Sequence, residues 1–446
     1  MTKKQFRHDF LRGLGSALLE LKQNKNPQQY YEIVRYGCLH NTTYDMQSEG
    51  ERGWYLHQAA MIVGSDTILN DILSRYSKEN SDDWLFNQLT SIIYHFAVNG
   101  NDIAYSALYD KYKFLLDKLS RIVISKHRPI CNDRDLFNWV CLWLTSLDGW
   151  GAFTMIVNDM SEKLLSRETD FFFNEWFYVN SQNKFGKKRV KRYLQKQSEK
   201  SVHVYAFWQK AQEWDNHIRP KQSELTLDKV IAKADDPGIR GISLRFAKNA
   251  SSDDLCKLYL AAMQEDEDKK RVGLLWGLRR ATSHMPEEII FDLMDNDNQD
   301  IREIAFCLME NNPSPAIRKI AVTLLQEGKD TINALSLLSK NILPEDEQLF
   351  CDTIKAIPAK LSDDKDRLHD AFIAARTGSE KLRGKPKTDL LFYVYKYTNC
   401  AYCREWIVRL MHKKKILTNA ILQECLYDSN CDIRVFVERV MHRNAT

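Results

Sequence analysis

The sequence predicts an all-α chain in which helices pair and stack, an α-α superhelix with an irregular N-terminal helical region. Three observations predict it. Seventeen Gly and ten Pro in 446 residues leave few of the punctuators that strands and hairpins require. Apolar residues return at helical spacing in segment after segment. In the second half a marker residue recurs at a fixed interval, as it does in stacked repeats.

The elements follow in order. MTKKQFRHDFLRGLGSALLELKQNK reads as one amphipathic helix: Arg12, Glu20 and Lys22 interrupt its apolar stretch, and no small-residue cleavage site follows, so it does not read as a signal peptide. A helix opens at Pro27 after Asn26, and Ser65-Asp66, Ser81-Asp82-Asp83 and Asn101-Asp102 are helix starts of the capping kind. The last of these leads into a stripe of Ala104, Leu108, Tyr112 and Leu115. Six of the eight residues from Phe171 to Tyr178 are aromatic and read as core. A basic helix follows Gly186. The organisation expected is a helical region over 1–180, a basic linker helix region over 181–224 and a repeat array over 225–446.

Within the array, PGIRGISLRFA, KKRVGLLWGL, QDIREIAFCLM and DTINALSLLS place Arg240, Arg271, Arg302 and Asn333 at intervals of 31. Looser copies carry Arg367, Arg404 and Arg434, and Ile317-Arg318 falls out of phase, as the opening of a partner helix would. Asp300 with Glu303 reads as a capping box, and Ser314-Pro315 as a hydroxyl cap with Pro in the first turn. This pattern resembles the HEAT repeat family over roughly Leu225 to Met441, although Asn333 replaces the marker Arg once. The resemblance implies a curved superhelix that usually binds proteins, sometimes nucleic acids, and only occasionally carries catalysis. In the N-terminal half, YDMQSEGER resembles a stretch of uncharacterised bacterial helical-repeat proteins, a likeness that implies no activity.

Composition sets further bounds. A net charge of +4 among 124 charged side chains implies no partner by itself, and 44% apolar content excludes a disordered chain. No window approaches 18 consecutive apolar residues, so no membrane span is expected. Ten cysteines lie scattered in apolar helical patterns, as reduced thiols in a cytoplasmic location would.

Two stretches carry the candidate sites. YDMQSEGERGWYLHQAA gathers Asp45, Gln47, Glu49, Arg52, Trp54 and His57; with Asp148 these residues read either as a ligand or catalytic pocket or as a clamp between helices. The clamp is the preferred reading, with a helix starting near Glu49, an ion pair between Glu49 and Arg52, and Tyr55 packed inward. The second stretch holds Lys184, Lys187, Lys188, Arg189, Lys191, Arg192, Lys196 and Lys200 against Glu199, a local charge of +7. Phosphate binding there would draw on Phe185 and Tyr193 as stacking partners and on the ridge Lys413-Lys414-Lys415. The preferred reading of this stretch is an ordinary solvated helix, with phosphate binding as the alternative and an acidic protein partner as a third.

Cys400, Cys403, Cys425 and Cys431, with His412 and His442 nearby, read as structural thiols rather than a zinc set. Nucleotide-loop and nucleophile-elbow motifs are lacking, and a lone His95 on an apolar face reads as core. No catalytic residue, metal or cofactor is therefore expected. The expectation is a scaffold that binds a protein partner, with a nucleic-acid-binding protein, conceivably of DNA-repair type, as the alternative.

Overall fold

A computed structural model describes residues 1–49, 52–79, 82–121, 132–167, 174–216, 225–281, 284–360, 364–382 and 384–445. Every regular element among them is helical. Contacts divide the chain into two units. One comprises 1–218, 399–408 and 417–446, and the other 219–398 and 409–416. Contacts place the basic helix Lys187–Ser198 in the first unit with the helices before it, together with 399–408 and 417–446.

In the second unit Ile239–Ala247, Asp268–Leu275, Gln299–Asn311 and Thr331–Asn341 lie side by side, the second continuing through a 3₁₀ turn, Trp276–Arg280. Each carries one marker of the 31-residue interval. The reason for the arginine is local. Arg302 Nη1 donates to the carbonyls of Asn296 and Asp297, both at 2.8 Å, and Arg271 Nη2 donates to that of Glu265 at 2.6 Å. Arg434 in the first unit repeats the arrangement toward Asp428 at 2.6 Å and Ser429 at 2.9 Å. A side chain one turn into a helix thus folds back and satisfies carbonyls of the loop before it. Arg240 departs from this use, lying 4.2 Å over the Trp276 ring and pairing with Asp300 at 3.0 Å.

Two capping expectations separate here. Ser314 Oγ accepts from Ile317 N at 3.3 Å ahead of Pro315. Asp300, however, is not the cap of its helix: Asn298 is, accepting from Asp300 N at 2.9 Å, and Asp300 sits in the first turn where the helix dipole favours a carboxylate.

In the first unit the expected single N-terminal helix is two, Lys3–Leu11 and Gly15–Gln23. The break is Gly13, whose φ of 74° lies in the left-handed region. The break also opens a docking point. Ser429 N donates to the Gly13 carbonyl at 2.9 Å, and a Cβ on Gly15 would stand 1.8 Å from the Glu424 carbonyl oxygen. Gly15→Ala is therefore expected to cost about 1–3 kcal/mol, the range for overpacking where neither backbone can yield. Hydrogen exchange checks it: protection should fall in Asn419–Cys425 and Cys431–Ala445 while Asp83–Val98 keeps its own.

Beyond that junction Gly53–Val63, Asp83–Val98, Asn132–Leu147 and Glu175–Phe185 form a row of neighbours. Asp82 and Asn101 cap as expected, accepting from Leu85 N and Ala104 N at 2.9 Å. The stripe Ala104, Leu108, Tyr112 and Leu115 is fully buried. Of the aromatic octet, Phe177 and Tyr178 are core and Trp176 is exposed, while 171–173 lie outside the described residues.

Candidate functional site

The acidic and aromatic stretch forms a short helix, Met46–Glu49, followed by Gly53–Val63. The long helix therefore starts four residues later than expected, with Arg52 at its N-cap position. Arg52 and Glu49 pair at 2.7 Å, with side chains only 4% and 1% exposed. Arg52 Nη1 also donates to the Leu11 carbonyl at 2.8 Å, and the Tyr55 hydroxyl to that of Leu14 at 2.9 Å. Both ties reach the broken N-terminal segment, and Gly13 between them receives Ser429. Trp54 lies under the Arg434 guanidinium at 3.9 Å. Asp45 N donates to Glu49 Oε1 at 3.4 Å, and of Gln47 only the backbone is described.

Asp148 is not gathered with these groups. It accepts from the hydroxyls of Tyr105, at 2.8 Å, and Tyr109, both on the helix Asp102–Arg121. His57 is buried against Phe96 and His95, its ring 5.9 Å from the latter, and its Nε2 has no hydrogen-bond partner. Burial pushes His57 down to about 4, and burial with the neighbouring His57 and Arg434 does the same to His95. Neutral imidazoles facing each other, and a carboxylate locked onto an arginine, do not make an acid and base pair.

Next to this stretch lies a surface that the apolar pattern did not separate from core. Trp84, Trp139 and Trp176 follow one another across three helices of the row, with ring centroids 5.8 and 5.1 Å apart. Trp143, one turn beyond Trp139, packs at 4.9 Å on Tyr94 and donates from its indole nitrogen to Asn87 at 2.9 Å. Trp84, Asn87 and Tyr94 share one face of Asp83–Val98, and Trp139 and Trp143 one face of Asn132–Leu147. Trp84, Trp139, Trp143 and Tyr94 are half-buried, and Trp176 is 39% exposed. A cavity of 330 Å³ beside Trp176 is edged by Leu142, Thr145, Asn180 and Asn183. At the Trp84 edge, burial and then Asp83 hold the Asp135 carboxyl above its ordinary range. The available signal was the Trp139/Trp143 pair at i and i+4, since large amphipathic rings on a repeated face suit a wet surface as well as a core.

The basic helix Lys187–Ser198 buries only Val190 and Leu194. Lys187, Lys188, Arg189, Arg192 and Lys196 are exposed. Lys191 pairs with Asp215 at 2.6 Å, Lys184 donates to Ser146 Oγ at 2.9 Å, and Arg189 lies 4.2 Å over the Trp150 ring. Phe185 and Tyr193 are half-buried, and both meet Trp150 edge-on, at 5.4 and 5.3 Å. Lys413, Lys414 and Lys415 are exposed.

Cys400, Cys403 and Cys425 are buried, Cys431 is exposed, and Cys400 Sγ accepts from Cys403 N at 3.3 Å. Burial raises the thiols of Cys38 and Cys351 to about 12 and about 11, so both stay protonated. Among the described residues no helix is long and apolar enough to cross a membrane. In comparisons with known proteins, no family model and no curated protein matches this chain.

Proposed function

We propose that the chain is a non-catalytic scaffold that binds a protein partner through the aromatic face of the row Gly53–Val63, Asp83–Val98, Asn132–Leu147 and Glu175–Phe185. The observation that carries this reading is the Trp84, Trp139 and Trp176 series, half in water and continuous over three helices. Trp and Tyr concentrate binding energy at protein interfaces because they bury large area with few rotatable bonds. The acidic edge at Asp83 and Asp135 disfavours a phosphate backbone on this face.

The test is panning of a random peptide display library on the intact chain, with the Trp139→Ala, Trp176→Ala variant in parallel. Peptides enriched on the wild type should bind the variant at least 30-fold more weakly, as loss of about 2 kcal/mol at a hot spot requires. No enrichment, or equal affinity for the variant, would overturn the reading.

A second reading, nucleic-acid binding, rests on the exposed cations of Lys187–Ser198. It predicts affinity that falls steeply with salt and is indifferent to sequence, because contacts to phosphates carry no base information. Fluorescence anisotropy with single-stranded and duplex DNA, repeated on a variant with Lys187, Lys188, Arg189 and Arg192 changed to Glu, separates the two. The scaffold reading expects that variant to keep its peptide affinity.

A further inference from the structure

A groove of about 630 Å³ runs between Ser65–Lys78 and Asp102–Arg121, and none of the tryptophan series is among its lining residues. Its floor and walls include Leu73, Tyr76 and Ala107, and two large apolar side chains stand at its ends, Ile103 at 64% and Phe114 at 57% exposure. Ile103, Ala107, Asp110 and Phe114 follow at steps of four, three and four on one helix face. That stripe spans about 16 Å at 1.5 Å per residue, or three turns. Ile103 and Phe114 thus leave apolar surface in water at both ends of the groove.

The charges of the groove say what covers it. Its single lining cation, Lys111, is 8% exposed and turned inward: Nζ donates to the carbonyls of Tyr76 at 3.0 Å and Ser77 at 3.2 Å, in the last turn of Ser65–Lys78. It also lies within 5.6 Å of the rings of Tyr76, Phe86 and Phe114. There it answers the negative end of that helix and offers little charge outward. Asp102 and Asp110 also line the groove, are exposed, and form no ion pair within 4.0 Å among the described residues. The outward face is therefore apolar at Ile103, Ala107 and Phe114, with one exposed carboxylate, Asp110, within that stripe and another, Asp102, beside it.

The geometry points to this groove as the docking site for an amphipathic helix of a partner protein, with an apolar ridge of about three turns flanked by lysine or arginine. Apolar anchors at i, i+4 and i+7 would lie between Ile103 and Phe114, and the basic flank would meet Asp102 and Asp110. The site is separate from the tryptophan face and does not rest on the reading proposed for it.

The experiment is fluorescence anisotropy of a labelled 14-residue peptide of Leu and Lys in amphipathic helical order, against the same peptide with Glu in place of Lys. The Lys peptide should bind with micromolar affinity and the Glu peptide at least 10-fold more weakly. Phe114→Asp and Ile103→Asp, at exposed positions that leave the melting temperature unchanged, should each weaken the Lys peptide at least 10-fold. Asp102→Asn with Asp110→Asn should weaken it several-fold, and Trp139→Ala with Trp176→Ala should leave it unaltered. Absence of binding, equal binding of the two peptides, or full affinity in Phe114→Asp would overturn the assignment.

Discussion

Arg404→Leu is expected to destabilise the chain by about 3–5 kcal/mol, the range for breaking a buried ion pair from one side. Arg404 and Asp428 are both 0% exposed and meet through two bonds, Nε to Oδ2 at 2.7 Å and Nη2 to Oδ1 at 3.0 Å. Nη2 also points at the Gly13 carbonyl, at 3.3 Å. Removing the guanidinium strands a carboxylate that water does not reach and withdraws a donor from the N-terminal break. Lysine is no substitute, since a single ammonium does not reproduce the planar fork. Urea unfolding reads the effect. The double variant Arg404→Leu, Asp428→Leu should lose clearly less than the sum of the two single changes, because it leaves no charge uncompensated. A single-variant loss below about 1 kcal/mol would mean that solvent reaches the pair.

The second large effect is acid lability centred on His57. Its imidazole titrates at about 4 in the folded chain against an ordinary 6.5. Between those values the unfolded chain holds a proton that the folded chain does not, so stability is unaffected above pH 6.5 and is lost as pH falls toward 4. The full loss is roughly 3 kcal/mol, of which roughly 2 is reached by pH 5, before most carboxylates titrate. His95, shifted in the same direction and facing His57, steepens the same limb, and Arg434 adds to the positive field there. His57→Phe should flatten the decline in unfolding free energy between pH 7.5 and 5. An unchanged slope would place the acid-sensitive groups elsewhere.

The Glu49–Arg52 and Arg404–Asp428 pairs differ in how far they could be read from sequence. Glu49 and Arg52, three apart beside a helix start, were legible as a pair because helical spacing is local. That Arg52 also holds the Leu11 carbonyl was not, because the broken backbone offering it lies 41 positions away. Arg404 was visible only as a loose copy of a repeat marker. Its partner is 24 residues on and its further acceptor, Gly13, 391 residues back.

Local chemistry sufficed for the helical class, for the caps at Asp82, Asn101 and Ser314, and for the rhythm of Arg240, Arg271, Arg302 and Asn333. Each depends on neighbours within a few turns. Tertiary packing decided what the same patterns could not distinguish. Trp139 and Val140 satisfy the same apolar periodicity, yet Val140 is buried and Trp139 stands half in water beside Trp84 and Trp176. Phe185 and Tyr193 were equally placed to face solvent or core, and both stand half-buried against the edge of Trp150. Gly13 read as an ordinary residue within one helix, yet Ser429 takes its carbonyl and fills the space a Cβ there would need. The physical reason is common to all three: periodicity fixes which side of a helix is apolar, whereas only the neighbouring elements determine whether that side is covered.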